Sequence, residues 1–516
     1  MRNVANLATS SLLASVASAQ VVQWDIQRRA TPNAPPRLSR RADGSVQEVI
    51  TNERMRGGYF ASCTVGTPPQ DVTLQLDTGS SDIWVPANTA SVCEDTSQGG
   101  GCTFGSFDSG ASSSFNVLND EFEISYVDGS GSRGEYISET FGIGDVKLEN
   151  MTMGLGISTD IAYGLVGVGY ALNEASVSAT HMIYNNLPVM MRDEGHIKSN
   201  AYSLWLNDLE ASKGNILFGG VDTDKYMGDL VRVSIDINEQ ARNYTAFQVR
   251  LTSLEAHSSS GNDSLSSASF PIPVVLDSGT TFSYLPQDIA EQVWTEVGVE
   301  VTNVDGTGLP LIPCDYAKST GYFSFGFGGD GGPVVNVGMD ELAIPLYAKF
   351  PSGSQFAGQD ACQFGIQNFS TASTSQGEPF LLGDTFLRSA YVVYDLENNE
   401  IAIAQTDFNA TTSNVVAFAS QSASIPSSTP APSQDAANTG PSSEPNYNAA
   451  KGFKDLSGSG TGSSSSSGSG SSSSGGGNGD NDSAGSLTPA LDFTQIAVMG
   501  ASMGLMMLGG GAFLLF

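Results

Sequence analysis

Between Ala42 and about Ala410, apolar and polar residues alternate with a period of two in many short segments, among them Val72-Thr73-Leu74-Gln75-Leu76, Phe122-Glu123-Ile124-Ser125-Tyr126 and Ile401-Ala402-Ile403-Ala404. Successive side chains on a strand point to opposite faces, so this pattern predicts half-buried β-strands throughout the body. Turn pairs such as Asp128-Gly129 and Asn398-Asn399 punctuate them. The clearest helical period follows Pro286, where Ile289, Val293 and Val297 recur four residues apart on one face. A strand-dominated body of about 370 residues is too large for one sandwich, and two lobes are expected.

The pattern changes at both ends. Met1 and Arg2 precede a mildly apolar stretch from Val4 to Val16 and the small residues Ala17-Ser18-Ala19, the layout of a secretory signal cut after Ala19. Residues 20–41 then carry Arg28, Arg29, Arg37, Arg40 and Arg41 against the single acid Asp25, and read as a removable pro-segment ending in Arg40-Arg41. The dibasic pairs serve as protease sites, as a Coulombic dock on the body, or as both. From Thr411 to about residue 485 the chain turns to Ser, Gly, Thr, Pro and Asn, which reads as a disordered stalk. Ile496 to Phe516 is an uncharged, mostly apolar run with no basic residue after it. Small residues at Asn481 to Gly485, a polar spacer and that tail predict a glycosylphosphatidylinositol signal over 486–516, with Asn481 or Ser483 as attachment residue. A retained tail anchor is the alternative. Residues 42–230 and 231–410 are left for the two lobes.

Charge narrows the function. The chain has 54 acidic and 22 basic residues and a formal net charge of −32. Such a surface repels phosphate backbones, which excludes nucleic acid as a partner. The first 41 residues hold 6 of the bases and 1 of the acids, so the body is more acidic still. Five cysteines suit an oxidising compartment if Cys93 pairs with Cys102 and Cys314 with Cys362, leaving Cys63 as a buried small apolar residue. Asn-x-Ser/Thr sequons at Asn150, Asn243, Asn262, Asn368 and Asn409, with another at Asn481, fit passage to the cell surface.

An internal repeat carries the chemistry. Leu76-Asp77-Thr78-Gly79-Ser80-Ser81-Asp82-Ile83-Trp84-Val85-Pro86 returns 200 residues later as Leu276-Asp277-Ser278-Gly279-Thr280-Thr281-Phe282-Ser283-Tyr284-Leu285-Pro286. One Asp-[Ser/Thr]-Gly turn is a weak signal in a chain so rich in Ser, Thr and Gly. Two copies in matching apolar frames, one per lobe, are a strong one. Leu165-Val166-Gly167 and Leu381-Leu382-Gly383-Asp384 form a second echo, each an apolar pair ending in a glycine that lets another backbone approach.

On these residues the chain resembles the pepsin-like aspartic proteases across residues 55–407. Val65-Gly66-Thr67-Pro68-Pro69-Gln70, the flap-like Tyr126-Val127-Asp128-Gly129-Ser130, Ile216-Leu217-Phe218-Gly219-Gly220-Val221-Asp222 and Gly383-Asp384-Thr385-Phe386-Leu387-Arg388 add to the likeness. With the dibasic pro-segment and lipid-anchor signal it looks most like the fungal yapsin-type subgroup. The resemblance implies an all-β, bilobal acid-protease fold with pseudo-two-fold symmetry and few short helices. It implies an aspartic endopeptidase of protein or peptide substrates that needs neither metal nor cofactor and acts as a monomer.

Site residues follow by resemblance. Asp77 and Asp277 would share one proton and activate a water without a covalent intermediate. Thr78 and Ser278 would brace the loops across the seam, Ser80 and Thr280 would bond the outer carboxylate oxygens, and Gly79 and Gly279 would let the turns approach. Ser278 departs from the commoner Thr, which implies a looser brace. Tyr126 and Gly129 belong to a flap, with Trp84 as the partner of Tyr126. Asp128 would either face a basic side chain before the cut bond or be a solvated turn residue. A silent binding protein on the same fold would ordinarily lack one of the two acids. Ser/His and metal hydrolysis are disfavoured, since His181, His196 and His257 stand in no recognisable frame.

Overall fold

Strand alternation organises the chain into two large sheets. The computed structural model describes residues 21–29, 37–40, 46–49, 58–94, 101–126, 129–211, 213–304, 307–369, 380–434 and 445–456. The secretory signal, Asp128, Asn481, Ser483 and the apolar tail lie outside these residues.

A 14-stranded sheet runs through both halves of the sequence. Its middle holds Ala390–Asp395, Ala201–Trp205, Lys213–Phe218, Val22–Arg29, Gly58–Val65 and Gln70–Asp77 as successive neighbours. The boundary read at 230/231 therefore falls inside Tyr226–Ser234, a strand of the same shared sheet. An 8-stranded sheet and a 4-stranded sheet complete the second lobe. Inward positions of the alternating strands, such as Val72, Leu74 and Leu76, are buried in one large apolar cluster. The helix predicted after Pro286 spans Gln287–Val297 and buries Ile289, Val293 and Val297 completely.

The repeat is a repeat of topology. In the first lobe, Leu165–Gly167 runs parallel to Gln70–Asp77 and antiparallel to Ile83–Pro86, which in turn runs parallel to Val146–Thr159. The second lobe sets Phe380–Leu382 parallel to Ile272–Leu276 and antiparallel to Ser283–Pro286, which runs parallel to Ile366–Phe369. The glycines ending the two apolar pairs are explained at once. A Cβ on Gly167 would stand 2.5 Å from the Ser81 nitrogen, and one on Gly383 would stand 2.2 Å from the Thr280 carbonyl oxygen.

Two segments depart from the composition reading. Val22–Arg29, within the basic pro-segment, is a central strand that pairs with Lys213–Phe218 and Gly58–Val65 and buries Trp24 and Ile26. Residues 411–434, read as stalk from their composition, are built onto the body. Val415–Ala417 pairs with Gly220–Asp222, and Ser428–Pro430 pairs with Tyr226–Ser234. Phe418 and Ile425 fill an apolar cluster with Tyr391 and Val393. Residues 445–456 also pack on the second lobe. A few well-spaced apolar residues are enough to fix such a segment, although they barely change its average composition. No helix among the described residues is long and apolar enough to cross a membrane.

Candidate active site

Gln70–Asp77 ends on Asp77, and Ile272–Leu276 leads directly into Asp277. Each chain then turns sharply around its own carboxylate. The Gly79 amide donates to Asp77 Oδ1 at 2.8 Å, and the Gly279 amide donates to Asp277 Oδ1 at 2.8 Å. The Ser80 hydroxyl donates to Asp77 Oδ2, and the Thr280 hydroxyl to Asp277 Oδ2 at 2.6 Å. Both carboxylates are thus held in one rotation by a backbone donor and a hydroxyl.

The two loops lock together across the seam. Thr78 Oγ1 donates to the Leu276 carbonyl at 2.9 Å and accepts from the Ser278 amide at 2.9 Å. Ser278 Oγ donates to the Leu76 carbonyl at 3.1 Å and accepts from the Thr78 amide at 3.2 Å. The glycines then decide how close the acids come. A Cβ on Gly79 would lie 2.6 Å from Asp277 Cγ, and one on Gly279 would lie 2.7 Å from Asp77 Cγ. Each carboxyl group packs against the other's turn, where any larger residue would collide with it.

Both acids are nearly buried, with 5% of Asp77 and 8% of Asp277 exposed. Burial holds the Asp77 carboxyl well above the ordinary carboxylate range, and the neighbouring charge of Asp277 pushes it further. The Ser80 and Gly79 bonds pull the other way and lose. Burial and the neighbouring charge together favour the protonated form of Asp77.

A hairpin of Asn116–Ser125 and Gly131–Ile143 forms the first-lobe end of the 14-stranded sheet. At its tip the Tyr126 amide donates to the Ser130 carbonyl at 2.8 Å, and Gly129 takes a φ of 82°. Trp84, fully buried, donates from Nε1 to Tyr126 Oη at 2.7 Å. The structure therefore brings Tyr126 and Trp84 together as the sequence predicts; Asp128 lies outside the described residues.

Three polar residues near the loops escaped the sequence reading. Gln75 Nε2 donates to the Gly279 carbonyl at 3.3 Å and Asn173 Nδ2 to the Gly79 carbonyl at 3.2 Å, tying each glycine turn from outside. Asp82 is buried and accepts from the Tyr184 hydroxyl at 2.7 Å, the Tyr136 hydroxyl at 3.2 Å and the Ala175 amide at 2.8 Å. Its signal was present: a charged residue directly before the apolar run Ile83-Trp84-Val85 needs buried partners.

The remaining predicted residues fall as follows. Cys93 is bonded to Cys102 and Cys314 to Cys362, while Cys63 is buried and its thiol is pushed up by burial. Asn150, Asn243, Asn262 and Asn409 are exposed, and Asn368 is half-buried. His181 ends a short helix at a φ of 58°, His196 pairs with Glu194, and His257 stacks on Tyr322. No group of three His, Cys, Asp or Glu that could hold a metal occurs among the described residues.

Comparison with known proteins adds three findings. A sequence model of the family described as eukaryotic aspartyl protease matches residues 58–406. The protein named "Probable aspartic-type endopeptidase opsB" of Aspergillus oryzae is 39% identical over 414 residues, covering 79% of this chain and 81% of that one. "Secreted aspartic protease 3" of Candida albicans is 35% identical over 381 residues, covering 72% and 85%. Among solved structures, aspartic proteinase from Irpex lacteus superposes with a TM-score of 0.52 at 21% identity over 69% of this chain and 96% of that one.

Proposed function

The chain belongs to the eukaryotic aspartyl protease family and is an aspartic-type endopeptidase, and on that premise we propose that Asp77 and Asp277 carry its chemistry, at acidic pH, on peptides with a basic residue before the cut bond. The observation that carries the reading is the mutual packing of each carboxyl on the other's glycine turn. Two carboxyls that close cannot both ionise cheaply, and aspartic proteases are the standing example of this behaviour. The ionised member draws a proton from a water as that water attacks the scissile carbonyl. The protonated member donates a hydrogen bond to the carbonyl oxygen, giving a tetrahedral diol. Collapse of the diol returns a proton to the leaving amine and restores the pair. The pair titrates as a unit, so neither acid is assigned the proton. Tyr126, tied to Trp84, is the lid that excludes water.

Acidic working conditions secure that shared proton, and the raised Asp77 extends the range over which it is kept. Asp128, two residues beyond Tyr126 in the sequence, supplies the acid that would meet a Lys or Arg. Val22–Arg29 acts as part of a pro-segment that is later removed. The Ser/Gly-rich chain mounts the enzyme on the outer face of the plasma membrane through a lipid added at Asn481 or Ser483 as the apolar tail is removed, as a monomer glycosylated at exposed sequons.

Hydrolysis of a peptide set at pH 4, with and without a pepstatin-type inhibitor and in Asp77→Asn, tests the chemistry. Residual hydrolysis near wild type in Asp77→Asn would refute it. Asp128→Thr tests the specificity separately: the ratio of Lys-peptide to Leu-peptide cleavage should fall, and an unchanged ratio removes Asp128 from the pocket.

A further inference from the structure

Residues 445–456 occupy a groove on the second lobe, far along the chain from either aspartate. Its walls are the hairpin Gln248–Ser258 and Gly261–Ser264, the turn before Tyr322–Phe327, and the last turns of the helix Gln287–Val297. Phe453 is the anchor. It is fully buried, and its ring stacks on Phe323 with centroids 5.1 Å apart and planes 14° apart. A Cβ on Gly321 would lie 2.4 Å from the Phe453 ring, so the groove is cut to admit it.

Polar contacts fix the register. The Asn446 and Ala449 amides donate to the two oxygens of Asp263 at 3.2 and 2.9 Å. Ser258 Oγ donates to the Ala449 carbonyl at 2.6 Å, and Ser260 Oγ donates to the Asn448 carbonyl at 2.6 Å while accepting from the Gly452 amide at 2.9 Å. Directional bonds at this density distinguish a docked segment from a coil lying on a surface.

Behind Asp263 stands a second carboxyl. Glu296, on the helix, is fully buried, its two oxygens meet no hydrogen-bond donor among the described residues, and Asp263 is its charged neighbour. Lys454 Nζ lies 2.5 Å from where a Cβ on Gly298 would be, at the helix C-terminus, and Lys451 and Asp455 are exposed. Asp288 accepts from Ser267 at the opposite end of the helix, and His257 pairs with Glu255 at 3.2 Å within its own strand. Two adjoining carboxyls out of water can share one proton, whereas two charges there are costly.

We propose that residues 445–456 form a proton-dependent latch on the second lobe, closed while Glu296 keeps its proton beside Asp263 and released when Glu296 ionises. The glutamic acid hydroxyl then donates to the carboxylate that holds the Asn446 and Ala449 amides. Burial first, and the Asp263 charge second, push Glu296 up to about 8. Its folded value lies above its unfolded one, so the contribution is complete at acidic pH and is lost as pH rises through about 8.

Hydrogen exchange of the Asn446, Ala449 and Gly452 amides in the full chain tests this, corrected for intrinsic rate and normalised to Ala390–Asp395 so that global opening is excluded. Protection in the wild type should be at least about tenfold lower at pH 9 than at pH 5. Glu296→Gln, which donates to Asp263 at any pH, should keep its protection at pH 9. Glu296→Met, which removes the charge and leaves Asp263 its two donors, should do the same if the glutamine packs poorly. Phe453→Ala should lose protection at both pH values with peptide hydrolysis unchanged. Equal wild-type protection at both pH values, or the same loss in both Glu296 variants, would overturn the latch.

Discussion

Five residues after Asp77 stands Asp82, a buried carboxylate bonded to two tyrosine hydroxyls and a backbone amide; five after Asp277, at the matching place, stands Phe282, buried among apolar residues. Two positions further on, Trp84 reaches the flap tyrosine, whereas its counterpart Tyr284 lies in the second lobe's apolar cluster beside Phe282. The loops themselves are near copies, with the same amide and hydroxyl donors on each carboxylate. Symmetry is thus kept around the two carboxylates, and is abandoned one turn later, where Trp84 bonds the tyrosine of the first-lobe hairpin and Tyr284 packs among apolar residues. The comparison teaches that the chemistry needs two lobes to match over a few residues and tolerates divergence elsewhere.

The largest expected effect comes from breaking the matched part. Asp77→Asn or Asp277→Asn should lower kcat/KM by roughly 10² to 10⁴, the usual contribution of a positioned acid or base. The fold should survive, since each amide side chain can keep its glycine N–H and hydroxyl partners; circular dichroism checks that control. Gly79→Ala comes next. Its Cβ would sit 2.6 Å from Asp277 Cγ, so the seam must open, with a loss of about 1–3 kcal/mol of stability and most of the activity. If Gly79→Ala remained as active as wild type, the close approach of the loops would be irrelevant to the reaction.

Acid dependence should show in stability as well as in rate. Burial is the first cause of a raised carboxyl at Asp77, Asp82, Glu174 and Asp384, and Glu174 is pushed up to about 9. Each binds its proton more tightly folded than unfolded. Their contribution is therefore whole below about pH 4 and is withdrawn as pH rises, at about 1.4 kcal/mol for each unit of separation. Melting temperature should fall steadily from pH 4 to pH 9, and Glu174→Gln should flatten the upper part of that curve. A melting temperature that climbs over the same range contradicts the assignment.

A smaller effect belongs to the asymmetric cover. Tyr126→Phe removes the bond from Trp84, worth about 1 kcal/mol net, and kcat/KM should drop by roughly fivefold with the melting temperature little changed. Loss of activity as large as in the aspartate variants would mean that Tyr126 takes part in the proton transfer itself.

Much of this site was readable from residue spacing. The repeated frame announced two equivalent acids, and the apolar pairs ending in Gly167 and Gly383 announced the strands packed behind them, because a turn needing close approach writes itself as glycine. Asp82, Gln75 and Asn173 were harder, since their partners lie up to 204 residues away and a lone polar residue says nothing of what it will meet. Composition misled at the termini. Phe418 and Phe453 hide in a background of Ser, Thr and Gly, yet each is completely buried. Averages over a window erase the few side chains that decide whether a segment docks.

The smallest expected effect concerns the single departure from symmetry in the brace. The Thr78 hydroxyl makes both of its cross-seam bonds at 2.9 Å, while the Ser278 hydroxyl makes its own at 3.1 and 3.2 Å. A β-branched residue is stiffer at χ1, so a threonine at 278 would hold its hydroxyl in one rotamer at less entropic cost. Ser278 is fully buried, however, and the added methyl must find room beneath the loops. Ser278→Thr should raise stability by no more than about 0.5 kcal/mol with kcat unchanged, and Thr78→Ser should lower it by a comparable amount. If Ser278→Thr instead destabilises by more than about 1 kcal/mol, the longer bonds reflect a packing limit on that side of the seam and not a looser rotamer.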